Sequence, residues 1–559
     1  MENRVKITAL GGLDEKGKCL YVVEIDEEIY VLDGGIKFPD RSLPGVDLIL
    51  PDYTYLKENK DRVVCYLLSQ GYSSHCGAIP YIYRDVPAPI YCSKATAVYL
   101  ERFAKMMLKK SIAFDFHCID PNDDVIIDKR KIRFFQTASS SICTSGIAID
   151  TDMGPIVYTG QFIVEYNCAE NHAQNLNKLA HISKKNVLCL LSESVGADQP
   201  GYTAPNHKLT SILHRTLVET RGRTFVSLFD HNIYGFEEVL KVAASEKKKV
   251  IFYNQFTQEM YDMLAPNGLY VPPRGTIVSS DELLRTREND LMIVIMQQGE
   301  SLFNELSSLA RGEIEDRRFL ISPNDTFLMA SPAGAGLEII ATEAIDDLYR
   351  TGAKIVNLKR KQYISMIAHE EDLKAMISIL KPKYYFPVTG EFRQLLSNAR
   401  MAAGMGTNYS HNNVFVMDNG MTLEIDEKHA QISPTPVRVG DLYVDGIGVG
   451  DVRQDVISDR QKLSEDGVIV AAMTVSQEQE KIIAGPDIQM RGFVFLKESE
   501  GVLKEVQRLF IETIQNALSM HKELKDAKEL FIEKSNRYIW KETGRKPMIV
   551  AIVEVLENF

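Results

Sequence analysis

Short apolar runs punctuated by glycine and aspartate turns open the chain, among them Leu20-Tyr21-Val22-Val23-Glu24-Ile25 and Ile29-Tyr30-Val31-Leu32. Runs of this length bounded by turn residues read as buried strands, so the first 200 residues are expected to be β-rich with later helices. Leu32-Asp33-Gly34-Gly35 predicts a strand entering a turn. From Lys208 to Ala244 the apolar spacing becomes helical. Val250-Ile251-Phe252-Tyr253, Leu291-Met292-Ile293-Val294-Ile295-Met296 and Thr326-Phe327-Leu328-Met329-Ala330 then predict buried strands between helices, the pattern of a parallel α/β sheet. A helix from Ala341 to Gly352, a strand Ile355-Val356-Asn357-Leu358, a helix from Glu370 to Leu380 and a strand from Tyr384 to Val388 follow. Ser433-Pro434-Thr435-Pro436 is the best linker candidate. Beyond it, the runs from Gly467 to Val475 and from Met548 to Val555 predict strands. Between them Val502, Val506, Leu509, Phe510, Ile514 and Leu518 recur at helical spacing, which predicts a small α+β domain. Internal repeats and low-complexity segments are absent from the sequence.

A chain of 559 residues exceeds what one core supports and predicts several domains. With 45% hydrophobic and 25% charged residues it has the composition of a globular protein. Eight cysteines, all between Cys19 and Cys189 and none in a C-x-x-C pair, fit a reducing cytosol better than a disulfide framework. The N-terminus enters a strand without a signal-peptide apolar region, and no run approaches the length of a membrane span, so a cytoplasmic location is expected. A formal net charge of −12 argues against nucleic-acid binding through overall charge. It leaves local basic clusters at Lys247-Lys248-Lys249, Lys359-Arg360-Lys361 and Lys381-Pro382-Lys383 as candidate phosphate contacts.

The candidate chemistry lies where the strand Val63-Val64-Cys65-Tyr66-Leu67-Leu68 runs into Ser69-Gln70-Gly71-Tyr72-Ser73-Ser74-His75-Cys76-Gly77. One imidazole stands in that turn. A lone imidazole at a strand end more often serves hydrogen-bonded structure than a metal, which takes several imidazole, thiolate or carboxylate ligands. Among eleven histidines the closest pair is His207 and His214, so no H-x-H, H-x-x-H or H-E-x-x-H starts a metal site. The serines Ser73, Ser74, Ser139, Ser140 and Ser141 lack an adjacent base that would make one a nucleophile, and turn chemistry explains them.

The turn resembles the H-x-H-x-D-H loop of the metallo-β-lactamase superfamily, with Gln70 and Tyr72 at the first two histidines, Ser74 at the aspartate and His75 at the last histidine. Further blocks, in order along the chain, are similar to the ribonuclease J family of metallo-β-lactamase and β-CASP ribonucleases, and in particular to its ligand-poor paralogues. These are Leu10-Gly11-Gly12-Leu13-Asp14-Glu15, Phe38-Pro39, Gly45-Val46-Asp47 and Ile49-Leu50-Pro51-Asp52, then 445–451, 463–467, Gly485-Pro486-Asp487, Arg491-Gly492-Phe493-Val494 and Lys546-Pro547-Met548. The resemblance implies an αββα metallo-β-lactamase sandwich with an inserted β-CASP α/β domain and a small C-terminal α+β domain. Its expected boundaries are 1–205 and 353–432 for the lactamase-like halves, 206–352 for the β-CASP-like insert, 433–450 for a linker and 451–559 for the terminal domain.

The same resemblance implies a depleted site. Ser140 stands at a ligand histidine and Thr144 at an aspartate of H-S-I-P-D-S, Gln161 at the metal-bridging aspartate of T-G-D-F, and Thr389 at the last ligand histidine of P-V-H-G-E. Tyr363-Ile364-Ser365-Met366-Ile367 stands where the family has H-V-S-G-H, a segment lining the scissile phosphate, and is the candidate substrate contact. Glu193 occupies the acidic position of β-CASP proteins and, with His75, is a residual catalytic candidate. The family uses two divalent ions, zinc or manganese; no metal or other cofactor is expected at this ligand set. The expected role is an RNA-holding or structural partner of a catalytically complete paralogue, forming homo- or hetero-oligomers through the terminal domain. The alternatives are a weak 5′-to-3′ exoribonuclease and endoribonuclease, or a hydrolase moved to a smaller substrate.

Overall fold

The computed structural model describes residues 4–40, 42–283, 285–334, 336–406, 409–410, 412–446, 448–450, 454–492 and 499–556. Of the family-like blocks, Ile447, Asp451, Phe493 and Val494 lie outside the described residues, as do Met1, Glu2 and Asn3 at the start. Among the described residues, eight strands form one sheet in the order Ala430–Ile432, Thr422–Ile425, Val5–Gly11, Leu20–Ile25, Glu28–Leu32, Val63–Leu67, Ile90–Ser93 and Phe116–Ile119. Six form a second sheet, ordered Tyr384–Val388, Cys189–Glu193, Ile156–Tyr158, Ser145–Ile149, Arg130–Gln136 and Asp124–Ile127.

Alternation of side chains along each strand sends Ile7, Tyr21, Val23, Phe134, Ile147, Leu191 and Phe386 into one apolar layer between the two sheets. On its other face the six-stranded sheet packs Phe135, Leu190 and Tyr385 against Leu179, Met376 and Ile377 of the helices Leu176–Ser183 and Glu370–Leu380. This is the αββα sandwich.

A third sheet is wholly parallel, ordered Lys249–Phe252, Leu291–Gln297, Thr224–Phe229, Thr326–Met329 and Lys354–Asn357. Two features differ from the sequence expectation. The span from Lys208 to Ala244 is not helical throughout: the strand Thr224–Phe229 separates the helices Thr210–Glu219 and Ile233–Ser245 and lies at the centre of the sheet. Its residues Phe225, Val226 and Leu228 are apolar on both faces because both faces are covered, so a run this short carries no period to set it apart from its helical neighbours. The strand Lys354–Asn357 pairs in register with Thr326–Met329, so the inserted sheet extends past the expected boundary at 352.

Asp325 anchors this sheet from below. Its carboxylate accepts from the Arg223 backbone N–H at 2.8 Å, from Arg223 Nη2 at 2.6 Å and from the Ser322 N–H at 2.8 Å. Arg223 also donates to the carbonyls of Arg318 and Leu320 at 2.7 and 2.6 Å.

Residues 1–37 and 50–441, which hold these three sheets, form one compact unit; residues 38–49 and 442–559 form a second. Phe38–Ile49, placed with the lactamase-like half by the sequence reading, thus belongs with the C-terminal unit. There Val46 and Ile49 pack on Ile457, and the Asp47 N–H donates to Val444 O at 2.8 Å. In the second unit the strands Lys481–Arg491, Val468–Ser476 and Met548–Val555 pack one face on Val506, Phe510, Ile514 and Phe531 of two long helices. Among the described residues no helix is long and apolar enough to cross a membrane.

Removing one partner of a buried ion pair strands the other charge at a cost of about 3–5 kcal/mol. Asp325→Ala is therefore expected to lower the unfolding free energy of the three-sheet unit by about 3 kcal/mol, read as a shift in the urea midpoint. An unshifted midpoint would show that the pair is not what holds this strand end.

Candidate active site

Parallel pairing brings the candidate residues together. Ile156–Tyr158, Cys189–Glu193 and Tyr384–Val388 are parallel neighbours, so the turns that follow them, carrying Gln161, Glu193-Ser194 and Thr389, emerge at one edge. Glu28–Leu32 and Val63–Leu67 are likewise parallel and deliver Asp33 and the 69–77 turn. Sites in α/β sheets form at such carboxyl ends of strands.

Asp33 is the hub, and the sequence reading passed over it. Fully buried, its Oδ1 accepts from the Ser69 N–H at 2.8 Å, and its Oδ2 from Ser69 Oγ at 2.8 Å and Tyr158 Oη at 2.7 Å. The same Oδ2 lies 2.8 Å from His75 Nδ1. His75 is thereby held as a structural partner of a carboxylate. Gly35 is required alongside, because a Cβ there would fall 1.6 Å from Ser74 O.

At the remaining positions the side chains meet neutral polar neighbours or backbone groups. Gln70, fully buried, points Nε2 at Gln161 Oε1 across 3.5 Å, and its own Oε1 has no hydrogen-bond partner. Thr389, at φ 54°, meets Tyr21 Oη at 2.8 Å and Cys19 Sγ at 3.6 Å. Ser140 is buried and its carbonyl accepts from the Tyr234 N–H at 2.9 Å. Thr144 Oγ1 donates to Thr137 O at 2.9 Å. Tyr72 turns toward the inserted domain, its ring 5.5 Å from that of His231, and burial with the nearby Asp230 charge pushes its phenol up.

Ser74 is half-buried, and its carbonyl accepts from the Cys19 N–H at 3.2 Å. Amide, phenol and hydroxyl groups are poor ligands for zinc or manganese. Among the described residues no group of three or more His, Cys, Asp or Glu side chains is placed to hold a metal ion. The donor set does not fit a two-metal centre.

Glu193 and Asp372 act as a clamp. Glu193 Oε1 accepts from the N–H groups of Phe162 at 3.0 Å and Ala368 at 3.2 Å. Asp372 accepts from Val164 at 2.8 Å and from Thr203 and His369 at 3.0 Å each. Two carboxylates thus fasten the segment after Gln161 to the start of the helix Glu370–Leu380.

The candidate substrate segment is divided. Tyr363 is buried with its hydroxyl against Asn232, and Met366 fills a small core with Ala138, Ile163 and Tyr234. Ile364, Ser365 and Ile367 are half-buried. The basic clusters are partly engaged: Lys248 and Lys249 donate to the carbonyls of Asn289 and Gly275 at 2.5 Å, and Arg360 to Ala333 O at 2.7 Å.

Burial raises Glu193 from its usual 4.5 to about 8, opposed in part by the Phe162 and Ala368 N–H groups and reinforced by the Asp372 charge. The native state therefore holds this proton more tightly than the unfolded chain does. The stabilisation is full below pH 4.5 and is lost as pH rises through about 8. Glu193→Gln keeps an acceptor and removes the ionisation. The wild-type melting temperature is expected to fall relative to Glu193→Gln between pH 5 and 8.5; parallel curves would rule out a protonated Glu193.

The Ribonuclease J, beta-CASP domain family matches residues 221–348, and the Ribonuclease J C-terminal domain family matches residues 455–555. The chain is 31% identical over 552 residues to Ribonuclease J 2 of Staphylococcus epidermidis (strain RP62A), covering 98% of each. It is 31% identical over 553 residues to Ribonuclease J 2 of Staphylococcus aureus (strain NCTC 8325), again covering 98% of each. A crystal structure of a protein of unknown function from Enterococcus faecalis V583 shares the fold with a TM-score of 0.53 at 14% identity, covering 76% of this chain and all of that one. Identity of this extent along nearly the whole length, with both domain families in sequence order, places the chain in the ribonuclease J family.

Proposed function

We propose that this chain is a cytoplasmic, RNA-holding partner in bacterial RNA processing and decay, in mRNA turnover and rRNA maturation. In this reading it works beside a catalytically complete ribonuclease J paralogue and is not itself a metal-dependent hydrolase. The observation that carries it is the neutral donor set at the strand ends, where Gln70 faces Gln161 and Thr389 bonds Tyr21. Metal-assisted hydrolysis needs the ion to make hydroxide and to neutralise phosphoryl charge, and neither role has a carrier among these groups. The matches to the β-CASP and C-terminal domain families support retention of RNA contact and of assembly.

One observation favours a second reading. A Glu193 that stays protonated at neutral pH is in the state a general acid requires, which supports a weak 5′-to-3′ exoribonuclease or endoribonuclease.

Elemental analysis of the pure chain at neutral pH is expected to find well under one equivalent of zinc or manganese. Cleavage of 5′-monophosphorylated RNA is expected to run at least about a thousandfold below an active paralogue, since both water activation and charge stabilisation are missing. Two equivalents of metal retained through gel filtration, or comparable cleavage abolished in the His75→Ala, Glu193→Gln double variant, would restore the hydrolase reading. In sedimentation, the full chain mixed with the active paralogue is expected to run as a mixed complex; independent boundaries at micromolar concentration would remove the partner role.

A further inference from the structure

The C-terminal unit has an open pocket of about 580 Å³ between the helices Gln454–Asp466 and Leu524–Thr543 and the start of the strand Met548–Val555. That volume is in the range of small-ligand sites. Trp540, the sole tryptophan of the chain, forms one wall and is 56% exposed. Ile532 and Met548 line it as well. An exposed indole beside apolar neighbours is a surface with a use for a flat, stacking partner.

A further feature specifies that partner. Three cations, Lys462, Arg537 and Lys546, line the pocket against one acid, Asp459, although the chain as a whole carries −12. Lys462 meets Asp459 only at 3.8 Å, and Arg537 pairs with Glu533 at 2.7 Å on the exposed helix surface. Such surface pairs exchange readily for another anion. Lys546 Nζ sits 5.9 Å over the indole.

We propose that this pocket binds one nucleotide of single-stranded RNA. The base stacks on Trp540, and its flanking phosphates meet Lys462, Arg537 and Lys546. An aromatic platform inside a cationic rim is how sequence-tolerant single-strand binding is built. A protein hot spot would bury its aromatic among apolar neighbours, not ring it with three cations. The inference rests on the RNA-holding reading above and locates a contact far in sequence from the lactamase-like loop.

Because Trp540 is the only tryptophan, emission excited at about 295 nm, beyond the absorption of the 24 tyrosines, reads this pocket alone. The full chain is titrated with ten-nucleotide oligo(A) and oligo(U), unlabelled for emission and dye-labelled for anisotropy. Saturable quenching is expected, with a log–log salt slope of about −1.4, as for two flanking phosphates at about −0.7 each. The Lys462→Ala, Lys546→Ala variant is expected to raise the half-quenching RNA concentration about tenfold.

Anisotropy that reports binding while the emission stays constant overturns the pocket and leaves the RNA-holding reading standing. Neither signal changing with RNA overturns both. Emission that follows protein concentration without RNA, in step with sedimentation, makes the face a protein contact and overturns the proposal.

Discussion

One buried carboxylate organises the edge on which the whole candidate site stands. Asp33 fixes the backbone and hydroxyl of Ser69, the ring of His75 and the hydroxyl of Tyr158, and so ties two turns of one sheet to a strand of the other. A charge in a dry interior is tolerable only with its hydrogen-bonding capacity filled, and here four groups converge on two oxygens. The constraint runs both ways. The 69–77 turn keeps its shape because Asp33 holds its start and its middle, and the two sheets keep their register because Tyr158 reaches across to the same atom.

That scaffold holds without calling on the residues at the ligand-like positions. With Asp33 holding the turn, Gln70, Tyr72 and Ser74 have only to fit the space. Gln70 and Gln161 face each other, Thr389 turns to Tyr21, and the buried volume is filled by neutral polar groups. The remaining acids take up mechanical work. Glu193 and Asp372 each gather backbone N–H groups, and between them they lock the segment from Phe162 to Val164. Mutual proximity of the two acids helps keep Glu193 protonated, so the clamp carries less charge than its composition suggests.

The inserted domain is joined to the sandwich by a second buried cluster. His172 donates to Ser139 O at 3.0 Å and meets Glu237 Oε1 at 3.2 Å, with Tyr234 edge-on at 5.1 Å. On the other side of Tyr234 lies His207, 3.5 Å from Glu165, with burial lowering it to about 4 so that its ring stays neutral. Ser140 shares this joint through its carbonyl and the Tyr234 N–H. A position that resembles a lost ligand is therefore also part of the buried joint between two domains.

The sequence by itself determined the elements and their kind. Strand-length apolar runs, turn residues such as Asp33-Gly34-Gly35 and the helical spacing from Val506 to Leu518 depend on neighbours within a few residues, which is the range a local pattern encodes. Ligand-type chemistry at Gln70, Gln161 and Thr389 is legible for the same reason: an amide or hydroxyl is a poor ligand wherever it sits. Only the tertiary structure decided what those residues touch. Asp33 and Tyr158 stand 125 positions apart, and nothing local to either announces the bond. The strand Thr224–Phe229 hid between two helices because burial on both faces erases periodicity, and Phe38–Ile49 joined the distant C-terminal unit through Val46, Asp47 and Ile49. Partnerships of this kind are set by which strands lie side by side, and that order is a property of the packed chain.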